Sequence, residues 1–297
     1  MTGPGAEHAR GRVEPGCLYV VATPLGNLED ITLRALRILR GVDWIAAEDT
    51  RHTRKLLQHY SIAARLTSYH DWIEREKAPR LVEALCAGKS VALVSDAGTP
   101  GIRDPGFHLV RAAIAAGVRV VPVPGPSAVV AALSASGLPA HRFAFEGFVP
   151  ARATQRRKWL QSLRDEPRTW VCFEAARRLS ATLADIAATL GQRQVVVARE
   201  LTKVHEEFLR GNAAELVRAL EARQEPLRGE VTLLVEGASA SPSPGTEPLW
   251  QVEMEAALAR GLSVRDAARL VAERHPISRR EAYQFGLARI ASRDAGD

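Results

Sequence analysis

The residues best suited to chemistry in this 297-residue chain stand in short polar stretches, each directly after an apolar run. In LVSDAGTPGIRDPG, residues 93–106, an apolar strand ends in Asp96, Ala97, Gly98 and Thr99, and Pro100 and Pro105 stiffen the path beyond it. Gly98 lets a ligand approach the backbone, and Asp96 sets a negative charge at the strand end. With no lysine and no glycine-rich helix start, this loop is a poor cradle for a phosphate. Asp104, beyond the bend, reads as a cap for the next helix. A second stretch, AAEDTRHTRKLL, crowds Glu48, Asp49, Thr50, Arg51, His52 and Arg54 together, as a polar, partly anionic substrate requires. Its other reading is a solvated helix start capped by Asp49 or Thr50.

Three further stretches belong with these. ATPLGNLEDIT contributes Pro24 and Gly26 after the first strand, with Asp30 expected to cap a helix. VPVPGPSAVV bends at Pro124-Gly125-Pro126 and starts a small-residue helix at Ser127 and Ala128. ARELTK and RGEVTL offer Glu200, Lys203 and Glu230 for proton transfer, although Glu200 and Lys203 could simply pair with one another. A basic run, ARATQRRKWLQ, combines Arg152, Arg156, Arg157 and Lys158 with Trp159: a phosphate grip with a stacking surface, or a solvated helix face with Trp159 in the core.

These stretches need strands and helices to position them. CLYVVAT, WIAAE, SVALVS and RVVPV read as strands, with helices from Asp30 onward and over about 80–87 and 107–116 between them; the alternation predicts a parallel sheet covered on both faces. FAFEGF, TWVCFE, QVVVARE, EEFLRG and VTLLVEG read as strands of a second α/β domain. The expected organisation is an N-terminal α/β domain over 16–126, a second over 127–237 with its linking helix, a linker at 238–248, and a helical tail over 249–297. The tail carries two capping pairs, Ser263 with Asp266 and Ser278 with Glu281.

Composition sets limits. A formal net charge of +6 carried by 40 Lys and Arg points toward nucleic acid or serves solubility alone. Cys17, Cys86 and Cys172 are far apart in apolar surroundings and read as buried thiols of a reducing compartment. The N-terminal stretch lacks the apolar core of a signal peptide, no run is long enough to span a bilayer, and no C-x-x-C or H-E-x-x-H spacing suggests a metal, so a cytoplasmic protein is expected. Neither G-x-G-x-x-G nor G-x-x-x-x-G-K-[ST] is present, which disfavours ordinary Rossmann dehydrogenases and P-loop kinases.

Taken in order, YVVATPLGNLEDIT, AAEDTRHTRKLL, VALVSDAGTPGIRDPG, VVPVPGPSAVVAALSASGLP, FAFEGFVP, VVVARELTKVHEEFLRG and GEVTLLVEG resemble the ribosomal RNA small subunit methyltransferase I family, the RNA-modifying branch of the tetrapyrrole methylase superfamily. The resemblance spans about residues 18–237 and extends weakly into the tail through SRREAYQ. It implies two α/β domains of tetrapyrrole methylase type with S-adenosylmethionine in the interdomain cleft, and a homodimer. It further implies 2′-O-methylation of a cytidine ribose in the decoding centre of 16S rRNA. By the same resemblance Pro24, Asp96, Ala97, Gly98, Thr99, Ser127, Ala128, Glu174 and Leu201 match cofactor-lining positions. Family members usually carry an aromatic-Glu-Ser segment followed by His-Arg, where this chain has CFEAARRL, so Ala175 and Arg177 depart from the pattern.

Methyl transfer to a ribose hydroxyl is an in-line displacement that needs positioning, no metal, and either a proton acceptor or a cation beside the developing alkoxide. The catalytic candidates are Asp49, Glu200 and Lys203; Arg51, Arg54, Arg156, Arg157 and Lys158 are the candidates for RNA contact. Two other functions fit the same scaffold: a methylase of a tetrapyrrole precursor, and a catalytically silent RNA-binding or ribosome-assembly factor. The EDTRHTRKLL and ARELTK segments weigh against the first, the intact cofactor loops against the second.

Overall fold

The computed structural model describes residues 13–70, 73–225, 227–238, 249–275 and 277–294, with side chains omitted from 290 onward. The chain forms two compact units, one ending at Gly237 and one beginning at Ala238.

The first unit holds two five-stranded sheets. Strands β1 (Cys17–Val21), β2 (Trp44–Ala47), β3 (Arg65–Ser68), β4 (Val91–Val94) and β5 (Arg119–Val123) lie in the order β3-β2-β4-β1-β5, and every pairing is parallel. Alternation sorts their side chains. Tyr19, Val21, Ile45 and Ala92 face helices α1 (Leu33–Gly41) and α2 (Thr50–His59), while Leu18, Ala46, Val91 and Leu93 face α3 (Glu74–Cys86) and α4 (Phe107–Ala115). With helices on both faces, β4 is buried along its whole length, and its apolar run has no polar face to show.

After the Pro-Gly-Pro bend, α5 (Ala128–Ser136) ends at Gly137, which takes the left-handed conformation a helix stop favours. The second sheet, β6 (Phe143–Phe148), β7 (Thr169–Ala175), β8 (Gln194–Arg199), β9 (Glu207–Asn212) and β10 (Glu230–Val235), has the order β6-β7-β10-β8-β9. Only β6 and β7 run parallel; the other three pairings are antiparallel. One face packs on α5 through Val129, Ala132 and Leu133. The other carries α6 (Ala153–Ser162), α7 (Leu179–Leu190) and α8 (Ala213–Glu221) around Trp170, Leu183 and Leu233.

In the second unit, α9 (Leu249–Ala259), α10 (Val264–Arg274) and α11 (Arg279–Asp294) share a small core of Met254, Ala257, Ala267, Ala268, Val271 and Ala282. The Ser263 hydroxyl accepts from Asp266 N (3.2 Å), and that of Ser278 from Glu281 N (3.1 Å). At Gly286 a Cβ would lie 2.5 Å from Met254 Cε, so the glycine lets α9 and α11 approach closely. The 238–248 linker lies, except for Ala238, outside the described residues.

Two local expectations are corrected, and two features are added. The first helix starts at Leu33, capped by Thr32, whose hydroxyl accepts from Ala35 N (3.1 Å); Asp30 instead closes a single 3-10 turn. Cys86 is exposed, because it ends α3 at the surface, whereas Cys17 and Cys172 are buried. The start of α4 is held by a buried carboxylate from another helix, with Glu74 Oε1 accepting from Gly106 N (2.9 Å) and His108 N (3.0 Å). Strand β3 is an addition, since its RLTS sequence has no apolar alternation to announce it.

Candidate active site

β1 and β4 are neighbours, so the loops that leave their carboxyl ends meet. Thr23 N donates to Gly98 O (2.9 Å) and Gly98 N donates back to Thr23 O (3.0 Å), a two-bond bridge between segments far apart in sequence. Gly98 takes φ +81°, which a side chain resists. The loop after β2 is laced to the same place: Asp96 N donates to Glu48 Oε2 (3.2 Å), and Asp49 N donates to Asp96 Oδ1 (3.0 Å). Thr99 Oγ1 donates to Pro126 O (3.2 Å), and Asn27 N to Thr202 Oγ1 (3.1 Å), so the first sheet's loops are fastened to the bend and to the second sheet.

Between these loops and the α5-bearing face of the second sheet lies a cavity of about 400 Å³. Asp96, Ala97, Gly98 and Thr99 border it on one side; Ser127, Ala128, Glu174 and Leu201 border it on the other. Pro24 is buried beside it, but Leu25 is the neighbour that reaches the cavity. Ser127 occupies the N-cap position of α5 without a capping bond from its side chain. Glu48, Asp104 and Glu230 add carboxylates to the lining, against one cationic side chain among the described residues, Arg178. Arg178 is itself paired with Glu174 at 2.5 Å. The balance favours a cation that also carries hydroxyl groups.

Glu174 is fully covered, with Oε2 accepting from Thr182 Oγ1 (2.6 Å) and Oε1 from Ala175 N (2.7 Å). The backbone of Ala175 thus supplies a bond to the glutamate without a hydroxyl side chain, and Arg177 points to solvent.

Glu200 and Lys203 do not border the cavity, but Glu230 does, and the three form one cluster. Lys203 Nζ lies 2.9 Å from Glu200 Oε1 and 2.8 Å from Glu230 Oε2, and Glu230 N donates to Glu200 Oε1 (3.1 Å). The pairing expected from ARELTK is present, and it includes a third member. Burial alone would raise the Glu200 carboxyl, but hydrogen bonds from Lys203 and Glu230 N outweigh it and hold the pKa below the ordinary range. Burial likewise opposes the Lys203 charge, yet its bonds to Glu230 and Glu200 push the ammonium above its ordinary value. Two glycines make room: a Cβ on Gly229 would lie 2.3 Å from Glu200 Oε1, and one on Gly26 would lie 2.2 Å from Lys203 Cγ. Glu200 and Thr202 both hold left-handed φ, +51° and +65°, in the turn that shapes the cluster.

Asp49 caps α2, accepting from Arg51 N (2.7 Å), and the Arg51 side chain grips both of its oxygens. These bonds hold its carboxyl well below the usual carboxylate range. Arg51 and Arg54 are exposed on α2. In the basic run, Arg157 and Lys158 are exposed, but Arg156 is buried in an ion pair, its Nε 2.7 Å from Asp185 Oδ2, and cannot reach a surface ligand. Trp159 packs edge-on against Trp170 with centroids 5.5 Å apart, which is the core reading of that residue.

Arg156→Ala would leave the buried Asp185 with Arg157, whose Nε lies 2.9 Å from Oδ1, as its remaining charged partner, at a cost of about 3 kcal/mol. A fall of about 10 °C in thermal midpoint is expected for a unit of this size. Burial raises the Asp185 pKa, but bonds from Arg157 and Arg156 outweigh it, for a net lowering. The pair's contribution is therefore present above about pH 4 and lost as pH falls further. Calorimetric melts at pH 7 and pH 3 check both points: the wild type and variant should differ at the first, and the difference should shrink at the second.

Sequence reasoning missed the part of the lining that comes from strand interiors: Phe173, Ala198, Val231 and Thr232 border the cavity but read as ordinary core. It also passed over Phe148 and Ile102. The aromatic between Gly147 and the Val-Pro that ends the strand was the available signal for Phe148.

Residues 17–217 match the family described as Tetrapyrrole (Corrin/Porphyrin) Methylases, and residues 252–289 match the RsmI C-terminal HTH domain. Among solved structures, the methyltransferase CobJ superposes with a TM-score of 0.56 at 20% identity, covering 75% of this chain and 95% of that one. The uroporphyrin-III C-methyl transferase from Thermus thermophilus, complexed with S-adenyl homocysteine, gives 0.50 at 20% identity, over 74% and 96%. The fold is that of the tetrapyrrole methylases. Ribosomal RNA small subunit methyltransferase I of Escherichia coli O157:H7 is 47% identical over 282 residues, covering 95% of this chain and 98% of that protein. The chain belongs to the ribosomal RNA small subunit methyltransferase I family, a family of methyltransferases.

Proposed function

We propose that this protein transfers the methyl group of S-adenosylmethionine to the 2′-hydroxyl of a cytidine ribose in the decoding centre of 16S rRNA. The observation that carries the reading is the acidic cavity where the Asp96–Thr99 loop meets the Glu200–Lys203–Glu230 cluster. The relatives' name supports small subunit RNA as the substrate. The same reading includes a cytoplasmic homodimer that acts on RNA within the small ribosomal subunit.

The residues present fit the donor. Carboxylates of Asp96 and Glu48 suit a positive charge and hydroxyl groups, Gly98 permits contact along the backbone, and Leu25 and Leu201 offer apolar surface. S-adenosylmethionine, when bound, supplies an electrophilic methyl group on a sulfonium. The protein's part is to hold a ribose oxygen in line with it and exclude water. Lys203 stays protonated at neutral pH, so it cannot serve as the base there; it holds the Glu200 and Glu230 carboxylates side by side, and Glu230, at the cavity wall, is placed to take the ribose proton. Asp49 suits a base poorly, since its oxygens are committed to Arg51 and the helix start, and it acts instead by setting Asp96 through its backbone N–H. Arg51, Arg54, Arg157 and Lys158 remain for phosphate contact, and Arg156 does not.

Mass mapping of 16S rRNA from cells with and without the gene should reveal the loss of a single ribose methyl group on a cytidine. Purified protein with labelled donor should restore it on small subunits. Label on a base, on a ribosomal protein or on a tetrapyrrole, with none on ribose, would overturn the reading.

A further inference from the structure

Phe148 is 51% exposed, yet it lines the cavity, so it stands at the mouth. Several independent features place it there. The parallel pairing of β6 with β7 runs in register to Phe145 opposite Val171, then shifts so that Phe148 faces Phe173, leaving one extra residue on β6. Such a bulge re-aims the side chain beyond it. Gly147 sits in the bulge at φ +72°. Phe173 contacts the Phe148 ring edge-on at 5.4 Å and is itself backed by Phe145 at 5.1 Å, so the ring is braced from one side. From the opposite wall, the loop after β4 lays Arg103 over the ring, with its guanidinium carbon 5.3 Å from the centroid. Arg103 holds a left-handed φ of +70° to do so, and a Cβ on Gly147 would come within 3.0 Å of its Cδ.

A braced aromatic ring with a planar cation across it has the shape and electronics of a stacking seat for a flat heterocycle. A ribose hydroxyl inside structured RNA can enter a closed cavity only when its nucleotide leaves the stack, and the exposed base then needs a new surface. We propose that Phe148, with Arg103, seats an unstacked base of the RNA substrate at the cavity mouth. The proposal rests on the RNA reading of the site. It concerns the substrate's base and not the donor's adenine, a distinction that donor titration of the variants reads directly.

The test uses the full-length protein with purified small subunits as the varied substrate, alongside calorimetric titration of S-adenosylmethionine. Phe148→Ala should lower kcat/KM for the subunit roughly ten- to a hundred-fold, the range of one lost base stack. Phe148→Leu keeps apolar bulk without the flat face and should lose nearly as much, whereas Phe148→Trp should recover most of the wild-type value. Donor affinity should stay within twofold throughout. If donor affinity falls in step with kcat/KM, or if the alanine and leucine variants methylate as the wild type does, the seat is wrong. A wild-type protein that binds the donor but transfers nothing to any RNA would instead overturn the substrate reading.

Discussion

Asp96→Ala is expected to weaken S-adenosylmethionine binding at least a hundred-fold while the protein stays folded. Asp96 gives the cavity a carboxylate and also accepts from Asp49 N, so alanine removes a charge facing the ligand and frees one partly exposed N–H. That freed donor lies near solvent and costs about 1 kcal/mol. The loop keeps its other ties, the paired bonds between Thr23 and Gly98 and the bond from Thr99 to Pro126 O. Asp96→Asn keeps an acceptor for Asp49 N and loses only the charge. It should fall between the wild type and the alanine variant, which separates electrostatics from loop geometry. Titration calorimetry together with a thermal melt reads both quantities. Normal donor binding by the alanine variant would remove this loop from the site.

The second large effect is expected at Lys203. Its ammonium joins Glu200 to Glu230, and without it two carboxylates face each other beside the cavity. Lys203→Met keeps the aliphatic stem over Gly26 and should lower kcat about a hundred-fold, the scale of a lost acid–base arrangement, with donor affinity changed little. The pH dependence distinguishes the roles. In the wild type Glu200 is held below its ordinary pKa, so the ionised pair with Lys203 persists from about pH 6 to 9 and kcat is flat across that range, with activity falling only in stronger acid. In the variant the like charges repel, one carboxyl pKa rises, and the acid limb moves up in pH. A wild-type rate that climbs steeply between about pH 8 and 10, toward the titration of an amine, would mean that neutral Lys203 is the base and that Glu230 is not.

How far the fold could be read in advance depends on what each strand buries. The first sheet was legible because β1, β2, β4 and β5 alternate with helices, and parallel strands covered on both faces are apolar throughout, as VALV is. The tetrapyrrole methylase fold, with its two sheets, also holds. What could not be read was the direction of the strands in the second sheet, since QVVVAR and EVTLLV look alike whether they run together or opposed. β3 was lost because its edge position demands no apolar pattern. Among the candidate site residues, those in loops were visible through their glycines, prolines and charges, and most reach the cavity. The inward residues of β7, β8 and β10 were hidden, because a side chain facing a ligand cavity and one facing α5 belong to the same apolar set. Arg156 misled for a related reason: nothing local in QRRK distinguishes an arginine held by a distant aspartate from one left in solvent.

The bond from Asn27 N to Thr202 Oγ1 spans 175 residues of sequence, and the cavity takes its lining from Leu25 through Thr232. A nascent chain meets this as an order of events. The first sheet can close once β5 has been made, but until β10 emerges it presents half a pocket, with its carboxylates in water. Donor binding is therefore a property of the finished first unit. On this reading, a chain cut between β5 and β10 would carry the loops of the first sheet without the second wall of the cavity, and should bind no methyl donor.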